Sequence, residues 1–485
     1  MSRLVVGPFN RVEGDLEVTL DVRDGRVDSA QVNATMYRGF ERILQGKRPV
    51  DALVYVPRIC GICSVSQSVA SARALADLGG LVIPPNGQHA TNLMLATENL
   101  ADHLTHFYLF FLPDFVRPVY AERPWYAEAL RRFHPQTGEQ MRQATAMRQR
   151  WLTLMGTLGG KWPHTQAVEP GGSSRAIDAA EQVRLLARVR EFRVFMERQL
   201  FAAPLEAVAT LDTEENLWRW HAQAPLSGDM RLFLTLVHDL SLQAAGPGPG
   251  RYLSYGAYPT PDGGWYLPGG VWRAGGSGTV PLDVGTITED ATCAWLTQPG
   301  GALHPQHGYT QPEPDKSGAY TWNKAPRLGG EVVETGAIAR QLTSSLPLVT
   351  DVVRRHGGSV YTRVLARLVE LARVVPLMEA WLLAIKPTEP FCVTTEWPDE
   401  GMGMGLTEAA RGSLGHWLTV QDGRLARYQI VAPTSWNFSP RDAQGVPGAL
   451  EQALVGAPVL PGEHTPVSVQ HIVRSFDPCM VCTVH

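Results

Sequence analysis

The sequence predicts a mainly α-helical fold with small β elements, and three observations carry that reading. Apolar residues recur at helical spacing over long stretches, above all across residues 360–386, where Val364, Leu368, Leu371, Val375, Met378 and Leu382 step by four and three. Strict two-residue alternation, the mark of a half-buried strand, runs through residues 4–36. The composition, 44% hydrophobic with 19% charged over 485 residues, describes a protein with a substantial core. There are no internal repeats, low-complexity tracts or linker-like stretches, so residues 1–485 read as one domain. A net charge of -4 leaves no electrostatic footprint for nucleic acid. No apolar run reaches the length of a membrane span.

Each element follows from its residues. Leu16, Val18, Leu20 and Val22 alternate with Glu17, Thr19, Asp21 and Arg23, and Ala30, Val32, Ala34 and Met36 alternate after Asp24-Gly25, a hairpin turn. After Cys63, SVSQSVASARALADL reads as a helix with small residues on one face, which would let another helix come close. Residues 88–111 form a second helix, 175–210 a long one with Leu185, Val189, Phe192, Met196 and Leu200 on one stripe, and 229–243 another. Gly159-Gly160-Lys161 lacks the GxxxxGK[ST] frame of a phosphate loop and reads as a structural loop. From 245 to 330 Gly, Pro and aromatic residues dominate, predicting irregular or short-stranded surface held by Tyr and Trp side chains. Pro376 predicts a kink in the helix over 360–386, and Asp422-Gly423 closes a hairpin within 401–440.

The candidate chemistry lies at the two ends. Arg58-Ile59-Cys60-Gly61-Ile62-Cys63 and Asp477-Pro478-Cys479-Met480-Val481-Cys482 each hold a Cys-x-x-Cys pair, a spacing that turns two thiolates toward one ion. Of six cysteines only Cys293 and Cys392 stand apart. Spacing alone fits a structural zinc site of four cysteines, although such sites usually lie within one small module; soft thiolates also suit nickel, copper and iron. Few cysteines, paired by motif, fit a reducing compartment, so a cytoplasmic location is expected; a chain exported beside a signal-bearing partner would look the same.

RICGIC and DPCMVCTVH resemble the two signature motifs of the large subunit of nickel–iron hydrogenases, and similar segments run along most of the chain. The resemblance implies a long-helix bundle of that large-subunit type and a Ni-Fe(CO)(CN)2 cluster. Cys60 and Cys479 would hold nickel alone, with Cys63 and Cys482 bridging nickel to iron. Arg11-Val12-Glu13-Gly14 matches a family motif whose Glu takes the proton leaving the metals; Asp15 stands where the family has His. Arg411 matches an Arg that hydrogen-bonds a diatomic ligand of the iron, with Ala410 in place of the family's Pro. Asp102 matches a carboxylate beside that Arg, and Asp477, which opens the second motif, joins the catalytic set. Pro433, Thr434 and Leu414 are assigned to the pocket around the diatomic ligands. A magnesium ion is also implied, near Glu41 and the carbonyl of Ile430, while His485 is a metal ligand whose place at the chain end lets it close the site last. Taken without the resemblance, Glu13, Glu41 and Arg411 would read as ordinary surface charges and His485 as a frayed end.

Heterolytic cleavage of H2 needs a Lewis-acidic metal and a nearby base for the proton, and its electrons must leave. Two separated cysteines are too few for an iron–sulfur cluster held by four thiolates, so a cluster-bearing small subunit is the required partner. Gln67 stands where the family usually has His, and Ile62 and Phe110 stand where most members carry smaller side chains along the gas route. Together with the opening VGPFNRVEGD and an end at His485 without the clipped extension of most members, these features resemble the regulatory, hydrogen-sensing branch. That branch implies low turnover and a histidine kinase reached through the complex. The alternatives are an uptake hydrogenase for energy metabolism, with the same site and faster turnover, and the structural zinc protein.

Overall fold

In the computed structural model, which describes residues 2–483, the N-terminal alternation forms an antiparallel sheet of β1 (Ser2–Val6), β2 (Leu16–Arg23) and β3 (Arg26–Ala34) in that order. Leu16, Val18 and Leu20 are fully buried. Asp24 and Gly25 take φ of 52° and 72°, the left-handed pair a tight hairpin needs.

The helices that position the site begin with α1 (Ser64–Leu78) and α2 (Pro85–Thr105), the latter running on through a wider π turn at His106–Phe111. The helix expected over 175–210 is shorter: α3 (Ala179–Phe195) widens into a π turn ending at Leu200, and Pro204 then opens a separate helix, Leu205–Ala209. Next come α4 (Asp229–Leu240), α5 (Ala337–Thr343) and α6 (Val360–Ala384). The spaced apolar residues of α6, from Val364 to Leu382, are all buried, and α2, α3 and α5 pack against it. The helix is capped by Ser359, whose hydroxyl accepts from Thr362 N at 3.2 Å. Short helices α7 (Pro433–Asn437) and α8 (Val467–Ser475) precede the second cysteine pair.

The small face of α1 receives a strand rather than the expected helix. β4 (Gly401–Ala409) heads a sheet completed by β5 (Gly412–Gln421) and β6 (Arg424–Val431). A Cβ at Gly405 would stand 1.9 Å from Ala70 O, and one at Gly403 2.1 Å from Ala74 O, so only glycine lets the strand backbone lie this close to the helix. Residues 245–330 fold as short strands, and their aromatic residues are less superficial than expected: Tyr252, Tyr258 and Trp272 are buried. The main core lies between the N-terminal sheet and the helices. A smaller one surrounds the four paired cysteines with Ile59, Leu414 and Ile430. Among the described residues no helix is long and apolar enough to cross a membrane.

Candidate metal centre

The first pair is built where a short turn meets a helix. The 3-10 turn Val56–Ile59 delivers Cys60, and Cys63 is the residue that caps α1, where unpaired amides favour negative charge. Cys63 makes no side-chain cap, and Glu98 of α2 takes that role from outside: it accepts from Val65 N at 2.8 Å, Ser66 N at 2.9 Å and Trp162 Nε1 at 3.0 Å. Burial pushes the Glu98 carboxyl up to about 7 despite these donors.

The second pair has little local structure. After α8 ends, Asp477 takes a left-handed φ of 59°, and Cys479 leads into a single turn at Met480–Cys482. Partners from across the chain hold it. Arg367 donates to Ser475 O at 2.7 Å, a cation at a helix C-terminus. Cys479 N donates to Thr434 Oγ1 at 3.2 Å, which leaves the hydroxyl proton for another acceptor. Glu13 N donates to Pro478 O at 3.3 Å and Met480 N to Glu13 O at 2.7 Å, so the Glu13 loop is laced to the cysteine loop. Buried Asp114 ties the same two segments a second time, pairing with Arg11 and, at 2.6 Å, with Arg474 of α8.

These constraints bring Cys60, Cys63, Cys479 and Cys482 together with their sulfur atoms all within 4.8 Å of one another and all buried. The closest approaches are Cys60–Cys479 at 3.4 Å, Cys63–Cys482 at 3.2 Å and Cys479–Cys482 at 2.9 Å. Hydrogen bonds from Cys479 and the other thiols pull Cys60 down as a thiolate. Its hydrogen bond with Cys479 pushes Cys63 up, and burial pushes up Cys479 and Cys482. Four thiolates become compatible with this burial once a soft cation lies among them.

Arg411 stands in the turn between β4 and β5. Its Nε donates to Asp477 O and its Nη2 to Asp477 Oδ1, each at 3.0 Å. Nη1 lies 2.9 Å from Asp102 Oδ2 as an ion pair bent too far for a hydrogen bond, so this buried N–H points at no acceptor among the described residues. Such a donor beside the sulfurs fits an anionic or diatomic ligand on a metal. Burial drives Asp102 up to about 8, whereas Asp477, equally buried, is held below the usual carboxylate range by Arg411. Glu13 is half-buried and pushed up, first by burial and then by the Cys60 charge.

The remaining sequence-derived residues fall into two groups. Leu414, Pro433 and Thr434 are buried, with Leu414 in the core around the sulfurs. Glu41, read from sequence alone as a surface charge, is fully buried: it accepts from Ile430 N at 2.8 Å and pairs with Lys324 Nζ at 3.4 Å. Lys324 also reaches Glu289 at 3.2 Å and Gln429 Oε1 at 2.7 Å. Ser435 and Thr483 line a small cavity beside Glu41. This corner offers the oxygen donors a hard cation takes. His485 lies outside the described residues. His103 and His106, near Asp102 on the same helix and its π turn, face protein partners: His103 Nε2 meets Glu370 at 2.9 Å and His106 Nε2 meets Arg474 O at 2.6 Å.

Sequence reasoning missed Glu98, Asp114, Arg367 and Lys324. A signal existed for Glu98, a charge within a helix that has almost no exposed face. For Asp114 and Arg367 none did, since their partners lie far along the chain.

Fold and site thus define a metalloprotein that closes both ends of its chain on one buried four-sulfur centre. The profile of the nickel-dependent hydrogenase family matches residues 38–133 and 139–485, and the chain belongs to that family. It is 30% identical to the periplasmic [NiFeSe] hydrogenase large subunit of Desulfomicrobium baculatum, over 100% of this chain and 95% of that one. Its identity is 28% to the uptake hydrogenase large subunit of Rhodobacter capsulatus, again over 100% of this chain and 95% of the other. A crystal structure of the reduced, active D. baculatum enzyme superposes with a TM-score of 0.87 at 29% identity, covering 100% of both chains. The D. baculatum enzyme carries selenium in its name, whereas this chain has cysteine at all four positions. The family, together with the buried Arg411, takes the place of the independent structural zinc reading.

Proposed function

We propose that this chain holds the Ni-Fe(CO)(CN)2 cluster of a hydrogenase on Cys60, Cys63, Cys479 and Cys482. The observation that carries the reading is the meeting of four buried sulfurs with one buried guanidinium that acts on Cys60 and Cys479 by its charge and whose Nη1 makes no hydrogen bond. When bound, the cluster supplies the Lewis-acid and redox chemistry that separates H2 into protons and electrons. The protein's part is to orient and to move protons. Asp102 and Asp477 fix the Arg411 guanidinium so that Nη1 can donate to a diatomic ligand, and Thr434 Oγ1 can donate to another. Leu414 and Pro433 keep that pocket apolar. Glu13 receives the proton at its carboxylate, and its raised affinity for protons brings it nearer a thiol donor. Glu41, the Ile430 carbonyl and His485 are assigned as ligands of a magnesium ion. Cys293 and Cys392 cannot carry electrons away, so an iron–sulfur small subunit is the partner.

Within the family we favour a regulatory, H2-sensing role in the cytoplasm, reported through a histidine kinase. Gln67 supports it. The side chain is buried, its Oε1 meets His416 Nε2 at 2.8 Å, and His416 Nδ1 meets Tyr428 OH at 2.8 Å. A fixed neutral amide therefore stands one helical turn from Cys63 where a titratable His is usual. Ile62, half-buried against the sulfur core, and Phe110 support it by their bulk. An uptake role is the second reading, favoured by the Rhodobacter capsulatus relative, which is named an uptake hydrogenase. Infrared bands of metal-bound carbon monoxide and cyanide in the complex with its small subunit test the site; their absence from a nickel- and iron-loaded sample sinks it. Dye-linked H2 oxidation then separates the roles, with slow turnover expected of a sensor and fast turnover refuting it.

A further inference from the structure

The turn that carries Arg411 is gripped from beneath. Ala410 and Arg411 join β4 to β5, and three successive carbonyls at that end of β4 accept from buried side chains. Asn99 Nδ2 donates to Glu408 O at 3.2 Å, Arg340 Nη1 to Ala409 O at 2.8 Å and Arg340 Nη2 to Ala410 O at 3.0 Å. Arg340, on α5, is fully buried, and its other donors meet carboxylates: Glu370 at 2.7 and 2.9 Å and Glu408 at 2.9 Å. All five N–H groups of the guanidinium are thereby used. The carboxylates are anchored in turn. Glu408 accepts from the Ser413 hydroxyl at 2.7 Å and Tyr255 N at 2.8 Å, and Glu370 from Gln341 at 2.7 Å and His103 at 2.9 Å.

The route closes on itself. Asp102 and His103 are consecutive on α2. Asp102 meets the Arg411 guanidinium directly, and His103 reaches the Arg411 backbone through Glu370 and Arg340. A planar fork held at every donor fixes two adjacent peptide groups in a way that a point charge cannot. This restraint falls where the sequence lacks one: Ala410 leaves φ free at the first position of the turn, which a proline would lock.

We propose that Arg340 is a positioning residue for Arg411, setting through the Ala409 and Ala410 carbonyls where that guanidinium stands beside the cysteine loop. The inference rests on the reading of Arg411 as a donor to the iron's ligands and names what aims it. The test is the infrared spectrum of the complex with its small subunit, with nickel and iron content measured alongside. Arg340→Lys keeps the charge and loses the fork; displaced or broadened cyanide bands are expected at unchanged metal content. Adding Ala410→Pro should return them toward their original positions. Bands that stay in place in a loaded Arg340→Lys protein overturn the proposal. If that variant does not load, Ala410→Gly in the otherwise unchanged protein decides. The clamp requires band positions and widths to survive the more flexible residue, and broadened bands would overturn it. A loaded parent protein with no such bands would instead refute the hydrogenase site itself, a separable result.

Discussion

The two cysteine pairs have the same spacing and opposite construction. Cys60 and Cys63 are placed mainly by neighbours in sequence, a short turn and a helix start, with Glu98 capping the helix and Arg38 and His164 donating to the Arg58 and Pro57 carbonyls of the turn. Cys479 and Cys482 are placed by residues from almost everywhere else, with Glu13, Asp114, Arg367, Arg411 and Thr434 converging on one irregular loop. A helix N-terminus presents its own amides to negative charge, so the first pair starts from ordered local structure that a few partners, Glu98 among them, complete. A loop has no such order, and each of its polar groups must be met by a partner brought by the fold. The first half of the centre therefore rests mostly on a segment's own turn and helix, and the second on the whole molecule.

The largest test removes the similarity. Cys60→Ser and Cys479→Ser should each abolish nickel retention in purified protein, since both pairs are needed for one ion; normal nickel in either variant would end the ligand assignment. Breaking the second pair's scaffold comes next. Arg411→Met leaves Asp102 and Asp477 buried without their cation, a loss of about 3–5 kcal/mol. In metal-free protein, amide exchange should accelerate over residues 475–483 and stay slow over 64–70. Equal acceleration in both segments would contradict the contrast between the pairs.

The first pair's outside cap gives a pH signature. Glu98 titrates at about 7 in the fold against an ordinary value of 4.5, so the folded state holds the proton more tightly. Stability is then full below the unfolded pKa and falls as pH rises through the window from 4.5 to about 7, by roughly 3 kcal/mol for this one group. Glu98→Gln should remove that part of the slope in denaturation midpoints measured between pH 5 and 8, and parallel slopes in the two proteins would count against it. At the bottom of the scale is a pair tied to neither region, Arg219 with Glu215, largely exposed at 2.8 Å. Arg219→Ala should shift the midpoint by less than about 0.5 kcal/mol.

Much of this was legible in advance where the signal was periodic or local. The span of α1 matches its expected residues, the Asp24-Gly25 and Asp422-Gly423 turns close as read, and the buried stripe of α6 follows its spacing. Of the site, the motifs marked the four cysteines, Glu13, Asp102, Arg411, Asp477 and Thr434, and all of these meet at one place or one bond away from it. The residues that aim them were not marked. Arg340 and Glu370 lie 30 residues apart on different helices, and Asp114 and Arg474 lie 360 apart. No period or spacing links such pairs.

By itself, then, the sequence supplied two thiolate pairs of metal-ligand spacing, motifs that resemble one family, and the segments that turn by their own dihedral preferences. Tertiary structure alone decided what lies against the small face of α1, which carbonyls grip the Arg411 turn, and that Glu41 is buried rather than solvated. The physical reason is range. Dihedral preference and hydrophobic period act over a few residues, whereas a buried charge takes its state from whichever distant partner the packing brings within about 3 Å.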